Sequence, residues 1–341
     1  MGKATVHDVA RRAGVSIATV SRVVNNKCRV EPGTAARVKR VISEIGYRPD
    51  AMARGMRHNR SYAVGYIVSD IANVHFMVAA KALEEMLAAN DFSLIVCSTG
   101  GDKARERSQL DLLLSKKIDG LIINVSVHND GLVVELSRQL PVVLLSRKVP
   151  SDLFQGDFVG NDGFRGAYEL GRHVLSMGHR DIGLIRGPDN ISTGTERFNG
   201  FVTALREKGI DLPQPRIHFG DYYQESGWNG AGALLDVRRP PSIIVAMNNA
   251  MAYGALACLR MRGVAIPGDI SFASYGDIPN RELLFITPTC ISQNPDQEGS
   301  MAGEILLRRM KDRGARPMTV LIPSQLLPGD SIRNLASKSK K

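Results

Sequence analysis

Cysteine is scarce in these 341 residues: Cys28, Cys97, Cys258 and Cys290 stand far apart with no Cys-x-x-Cys pair. That spacing excludes a disulfide framework and predicts reduced, mostly buried thiols. The seven histidines show no ligand spacing, so neither a metal nor another cofactor is expected. No apolar run reaches 18 residues, which leaves no transmembrane helix and no membrane partner. Met-Gly-Lys-Ala-Thr at the start lacks the apolar core of a secretory signal, so a cytoplasmic protein is expected. Gly-x-Gly-x-x-Gly, a Gly-Lys-Ser/Thr loop and a Gly-x-Ser-x-Gly elbow are all missing, and the carboxylates and histidines assemble into no catalytic set. The nucleotide-binding and hydrolase classes therefore lack their defining features, and no enzyme is expected.

What is present is concentrated near the N-terminus. Thr5 followed three residues later by Asp8 is a helix-start signature. Val6, Val9, Ala10 and Ala13 fall on one stripe at helical spacing, and Gly14 is placed to end that helix. Ser16 opens a second helix with Val20, Val23 and Val24 on its apolar face. Helix, short turn, helix is the arrangement that lays a second helix into the DNA major groove. Pro32 suits the first turn of a third helix, in which Val38, Val41, Ile42 and Ile45 form the stripe and Gly46 the stop.

Charge separates this segment from an ordinary helical hairpin. Residues 1–60 hold 13 Lys/Arg against four acids, which is +9 of the chain's +10. The remaining 281 residues carry 31 bases (44 − 13) and 30 acids (34 − 4). A small basic head on a balanced body is the footprint of a protein that meets phosphates.

Thr5 to Asn25 resembles the helix-turn-helix of the LacI-type (lactose and purine repressor) family, whose signature reads D-V-A-x-x-A-G-V-S-x-x-T-V-S-R-V-x-N. The resemblance continues along almost the whole chain. It implies that Ile17, Ala18 and Arg22, near the start of the second helix and away from its valines, are base-reading positions. Arg22 suits a bidentate pair with guanine or a phosphate contact, and Ile17 and Ala18 suit a thymine methyl. Ser16, Thr19, Ser21 and Asn25 are expected to position phosphates, and Thr5 and Arg29 are further DNA-contact candidates. Tyr47 to Arg60 is a short basic linker that resembles the family's hinge helix, with Arg54 toward DNA and Met56 at the place of the wedge leucine. A flexible tether is the alternative for this linker, and Gly55 raises the cost of a helix there.

From Tyr62 the texture becomes repeated βα, with strands read at 62–68, 92–97, 118–123, 142–145, 181–186, 216–219, 242–246 and 270–274. Helices are read between them and at 295–312. Parallel sheets covered on both faces follow, in two lobes, because so many elements exceed one sheet of usual size. The expected fold is an all-α helix-turn-helix head plus an α/β periplasmic-binding-protein-like core of two parallel-sheet lobes. The resemblance implies three chain crossings between the lobes and a last helix that returns to the first. The expected domains are 1–48 (head), 49–60 (hinge), 61–330 (effector-binding and dimerisation core) and 331–341 (polar tail).

Ligands of parallel α/β sheets sit beyond the carboxyl ends of the strands. The family resemblance places Asp70, Phe76, Asn161, Thr193, Arg197, Tyr222, Asn248 and Gly276 around such a cleft, with Arg197 as the ligand-gripping arginine. Asn161 and Gly276 stand where the family often carries aspartate, and Asn249 replaces the aspartate of N-D-x-x-A. Loss of carboxylates beside a retained guanidinium favours an anionic effector such as a sugar acid over a neutral sugar. The whole reads as an effector-responsive repressor that binds a near-palindromic double-stranded operator as a homodimer. The alternatives are a sugar-binding receptor and an α/β enzyme with an accessory DNA-binding head.

Overall fold

The computed structural model describes residues 4–24, 30–47, 60–125 and 129–336. The chain divides into two compact units, residues 1–62 and 63–341. In the first, α1 (Val6–Ala13), α2 (Ile17–Val24) and α3 (Pro32–Ile45) enclose a core of Val9, Ala10, Ala13, Val20, Val23, Val38 and Val41. Thr5 and Asp8 form a reciprocal capping box, and Gly14 takes φ +63° so that its N–H reaches back to Ala10 and Arg11 carbonyls. Glu31, which the sequence pattern did not single out, caps α3 through the N–H groups of Gly33 and Thr34 at 2.9 and 2.7 Å.

The second unit holds two six-stranded sheets. Lobe 1 runs β11-β5-β4-β3-β1-β2, from β1 (Ala63–Val68), β2 (Ser93–Ser98), β3 (Gly120–Ile123), β4 (Val142–Leu145), β5 (Asp157–Asn161) and β11 (Thr319–Ile322). Lobe 2 runs β12-β10-β9-β8-β6-β7, from β6 (Ile182–Arg186), β7 (Ile217–Phe219), β8 (Ile243–Ala246), β9 (Ser271–Tyr275), β10 (Thr289–Ser292) and β12 (Gln325–Leu327). All neighbouring strands are parallel except β12, which runs antiparallel to β10.

Lobe 1 is covered by α4 (Val74–Ala88), α5 (Lys103–Ser115), α6 (Asp130–Gln139) and α11 (Pro295–Lys311); lobe 2 by α7 (Gly163–Ser176), α8 (Ser192–Arg206), α9 (Gln224–Leu235) and α10 (Asn249–Met261). Central strands such as β3, β4 and β8 are buried throughout, which is why their sequences are unbroken apolar runs.

The chain crosses between lobes three times: β5 to α7, β10 to α11, and β11 to β12. The last helix returns to lobe 1, where Ala302, Ile305 and Leu306 join the core shared with α4. Four strands escaped the sequence reading: β5, β10, β11 and β12. They are the ones beside the crossings, short or interrupted by polar residues such as Asn161 and Ser292. The expected tail beginning at 331 is also corrected. Ser331 and Ile332 are buried, and the Leu335 N–H bonds the Met177 carbonyl at 2.7 Å, so residues 331–336 are stitched to lobe 2. Cys97, Cys258 and Cys290 are free and buried, and desolvation pushes each thiol up. No described helix is long and apolar enough to cross a membrane.

Candidate functional site

A cavity of about 240 Å³ opens between the lobes at the carboxyl ends of the strands. Lobe 1 supplies Ser69, Asp70, Asn73, His75 and Phe76 after β1, Thr99 and Gly101 after β2, Asn124 and Val125 after β3, and Ser146 and Arg147 after β4. Lobe 2 supplies Thr193 and Arg197 after β6, Asp221 to Tyr223 after β7, and Asn248 and Asn249 after β8. Six expected effector residues line it together: Asp70, Phe76, Thr193, Arg197, Tyr222 and Asn248.

Two expected residues do not line it. Asn161 is buried at the crossings, where its Nδ2 donates to the carbonyls of Gln293 (2.8 Å) and Ile322 (3.1 Å) and its Oδ1 accepts from Gln293 Nε2 (3.1 Å). These three residues each belong to a different crossing, so Asn161 staples the three crossings together. Gly276 takes φ +100°, and a Cβ there would come to 3.2 Å from both the Asn249 nitrogen and Gln293 Oε1. A side chain at 276 is therefore strained by backbone conformation, whatever the ligand.

Arg197 is 6% exposed. Its Nη1 donates to the Met247 carbonyl at 2.9 Å, and its guanidinium lies over the rings of Tyr275 and Tyr222 at 4.2 and 5.5 Å. Its Nε has no hydrogen-bond partner, and among the described residues no carboxylate pairs with it. Arg147, equally buried, differs: it forms a bidentate pair with Asp130 at 2.9 and 3.1 Å. The one arginine is neutralised and the other is not. Tyr222 holds φ +74° and carries a buried hydroxyl that has no partner among the described residues. Asn248 caps α10 through Met251 N–H (2.8 Å) and donates to the Tyr222 carbonyl (3.0 Å), so it fixes that ring's backbone.

Carboxylates nonetheless line the cavity: Asp70, as expected, and also Glu106 and Asp221, which the family pattern did not place there. Each is already engaged: Asp70 accepts from Ala72 N–H, Asp221 from Tyr223 N–H, and buried Glu106 from Asn129 at 2.9 Å. His75 also lines it, its Nε2 3.2 Å from Glu298 Oε2. The sequence reading missed Glu106 and Arg147, which carry no motif. Arg147 carries a positional signal, two residues beyond the buried strand β4, whereas Glu106 sits in the first turn of α5 and carries none.

Contacts also join the lobes across the cleft. Asn249 Nδ2 donates to Asn73 Oδ1 at 2.9 Å and Asn73 Nδ2 returns to Asn249 Oδ1 at 3.4 Å. Lys148 pairs with Glu196 at 2.9 Å, and its N–H bonds Ser192 Oγ at 3.1 Å.

In the head, the Ser16 hydroxyl accepts from Thr19 N–H at 3.2 Å and lies 2.9 Å from Thr19 Oγ1, so this pair caps α2. Thr5 is engaged in its capping box, at 2.7 Å from Asp8 Oδ2 through its hydroxyl. Ala18 and Arg22 are exposed, and Ser21 is half-buried. Ile17 is half-buried and packs on the head's apolar core, because it stands three residues before Val20 on the same helical stripe. It was expected on the opposite side. Asn25, Arg29, Arg54 and Met56 lie outside the described residues.

Residues 5–50 match the model of the bacterial regulatory proteins of the lacI family, and residues 61–334 that of periplasmic binding proteins and the sugar-binding domain of the LacI family. The chain is 31% identical over 331 residues to the HTH-type transcriptional repressor PurR of Proteus mirabilis, covering 96% of this chain and 97% of that protein. It is 31% identical to the HTH-type transcriptional regulator DegA of Bacillus subtilis, covering 95% and 97%. Its fold matches that of a lac repressor dimer bound to operator and the anti-inducer ONPF, with a TM-score of 0.82 at 24% identity over 97% of this chain and all of that one. A capped helix-turn-helix head and a two-lobed ligand cleft thus occur together in a chain that belongs to the LacI family of bacterial transcriptional regulators.

Proposed function

We propose that this regulator is gated by a small effector that carries an acidic group, a sugar acid or a similar hydroxylated carboxylate. The buried guanidinium of Arg197 carries the reading. A charge withdrawn from water without a counterion is unfavourable, and a ligand carboxylate is the group that would complete it in bidentate fashion. Asp70, Asp221 and Thr193 supply acceptors for hydroxyl groups. The cavity's 240 Å³ lies below the range of about 300–1,000 Å³ typical of drug-sized ligands, which favours a monosaccharide-scale effector. Calorimetric titration with sugars and their matched uronic or aldonic acids tests this: the acids bind and the neutral sugars do not. Tight binding of neutral sugars alone would falsify the assignment.

The DNA-reading surface is assigned to α2, with exposed Ala18 and Arg22 at base edges and Thr5, Ser16, Thr19, Ser21, Asn25 and Arg29 along phosphates. Arg54 and Met56 belong to a linker that engages the minor groove. The protein acts in the cytoplasm, without catalysing a reaction, as a homodimer on a near-palindromic operator. An exposed apolar surface supports the dimer: Phe285 is 96% and Leu283 84% exposed, which is unusual for groups of that size unless a partner covers them. Effector binding shifts the lobes' closure and with it the order of the linker; a few kcal/mol of differential binding suffices for that shift.

A further inference from the structure

On the lobe 1 side of the cavity lies a buried polar cluster. His75, in the first turn of α4, lines the cavity and is 8% exposed. Its Nε2 stands 3.2 Å from Oε2 of Glu298, which comes from the first turn of α11 and is 0% exposed. The Ser146 hydroxyl, just after β4, donates to the same Oε2 at 3.2 Å and lies 3.4 Å from Nε2. Burial and the nearby Glu298 push the Tyr66 hydroxyl up, but that hydroxyl faces the Phe76 carbonyl at 3.5 Å. Two atoms of the cluster have no hydrogen-bond partner among the described residues: Nδ1 of His75 and Oε1 of Glu298. No other base among those residues pairs with Glu298.

What Nδ1 offers follows from the charge of the pair. An ionised carboxylate beside a neutral imidazole would leave a net negative charge on a group with no exposed surface, which is costly. The pair is electrically neutral in two ways. As an ion pair, both ring nitrogens carry protons. As an uncharged pair, Oε2 keeps its proton and gives the hydrogen bond to Nε2, so the imidazole holds its single proton on Nδ1. A proton placed on Oε1 instead would meet no acceptor among the described residues. In both neutral forms Nδ1 is a donor. It is a buried N–H without a protein acceptor, on a ring that lines the cavity, and such a group is completed by a ligand oxygen.

We infer that His75 is a second anchor for the effector, held in place by Glu298 and Ser146, and that it selects an uncharged oxygen bearing no hydrogen. A hydroxyl oxygen can accept as well, but its own hydrogen must then find another buried acceptor; a carbonyl or ring oxygen has none to place. A second carboxylate would bring a further negative charge into a cleft lined by Asp70 and Asp221, where Arg197 is the arginine without a paired carboxylate. The effector class that fits is a sugar acid that keeps its carbonyl, open or closed into a ring: a uronic or keto acid. An aldonic acid, whose oxygens outside the carboxylate all carry hydrogen, fits less well. This inference rests on the reading of Arg197 as the carboxylate clamp. Arg197 belongs to lobe 2 and His75 to lobe 1, so such a ligand is gripped from both sides.

The experiment is calorimetric titration of the full-length protein with glucuronate, galacturonate and ketogluconate against gluconate and galactonate, with glucose and galactose as neutral controls. The wild type should bind a carbonyl-bearing acid at least about tenfold more tightly than its aldonic counterpart, the scale of one hydrogen bond. Two variants, checked for folding by thermal melting, assign that ratio to His75. His75→Leu/Glu298→Leu removes the donor and the buried carboxylate together, so neither is orphaned, and should bring the ratio to about one. His75→Asn/Glu298→Leu returns an amide N–H near the place of Nδ1 and should restore the preference. The proton itself is read without any variant by nitrogen NMR of histidine-labelled wild type, in which the His75 Nδ1 should carry hydrogen. An unprotonated Nδ1, a wild-type ratio near one, or a preference that persists in the double-leucine variant overturns the inference, while binding of the acids keeps the Arg197 reading intact. A wild type that binds the neutral sugars and none of the acids overturns the Arg197 reading, and this inference with it.

Discussion

Replacing Arg197 by methionine separates its two possible roles, as a scaffold and as a ligand clamp. In the unliganded protein its favourable contacts are one charge-assisted hydrogen bond to the Met247 carbonyl at 2.9 Å and two ring faces. The bond is worth about 1.5–3 kcal/mol and each ring about 0.5–2. Against them stands a desolvation penalty of several kcal/mol for a guanidinium that is 6% exposed and unpaired. The terms nearly cancel. Methionine fills most of the volume, removes the penalty and leaves one carbonyl unsatisfied at about 1–3 kcal/mol. Arg197→Met should therefore change unliganded stability by no more than about 2 kcal/mol, read by urea unfolding. Affinity for an acidic effector should fall by at least about 100-fold, or 2.7 kcal/mol, read by calorimetry. Ligand-induced thermal stabilisation should disappear in parallel. Large destabilisation with unchanged acid affinity would show that Arg197 is structural and would refute the clamp.

Asn161→Leu removes three buried hydrogen bonds and orphans the Gln293 and Ile322 carbonyls, so a loss of about 2–4 kcal/mol is expected in urea unfolding. Asn73→Ala deletes the reciprocal amide pair across the cleft, worth about 1 kcal/mol per bond. It should shift the lobes about five- to thirtyfold toward an open form, seen as a larger radius of gyration in solution scattering. Burial lowers the imidazole pKa of His173, His179 and His218, so the unfolded chain binds more protons on the acid side. Their contribution is full above the unfolded value of about 6.5 and is lost as pH falls through the depressed folded values. Melting temperature should drop below about pH 6.5, and His179→Gln should blunt the drop; a flat profile would refute the reasoning. Thr5→Ala opens the capping box on α1 and should destabilise the head by about 1 kcal/mol, followed by the salt-sensitive operator affinity of the full chain.

The sequence by itself determined the helices of the head, because the signals that start and stop them are local, whereas their shared core joins Val9, Val20 and Val38 from three helices. Thr5 and Asp8, Gly14, Ser16 and Gly46 lie within a few residues of the N–H and C=O groups they cap or release, so spacing alone places α1, α2 and α3. The alternating β and α segments of the body were legible for a similar reason, since strands buried on both faces must be apolar throughout. Ile17 was misread even locally, because a three-residue spacing to Val20 turns it inward. Most of the cleft was reached through a family pattern, and there local chemistry misled. Asn161 and Gly276 stand where carboxylates would suggest ligand contacts, yet one binds carbonyls 132 and 161 residues away and the other is fixed by its positive φ. Only the tertiary structure decided that Arg147 is neutralised by Asp130 while Arg197 is not, and that Glu298, from the last helix, backs His75. Pairing across such separations depends on how strands are ordered in the sheet, and strand order is settled by packing of the whole lobe.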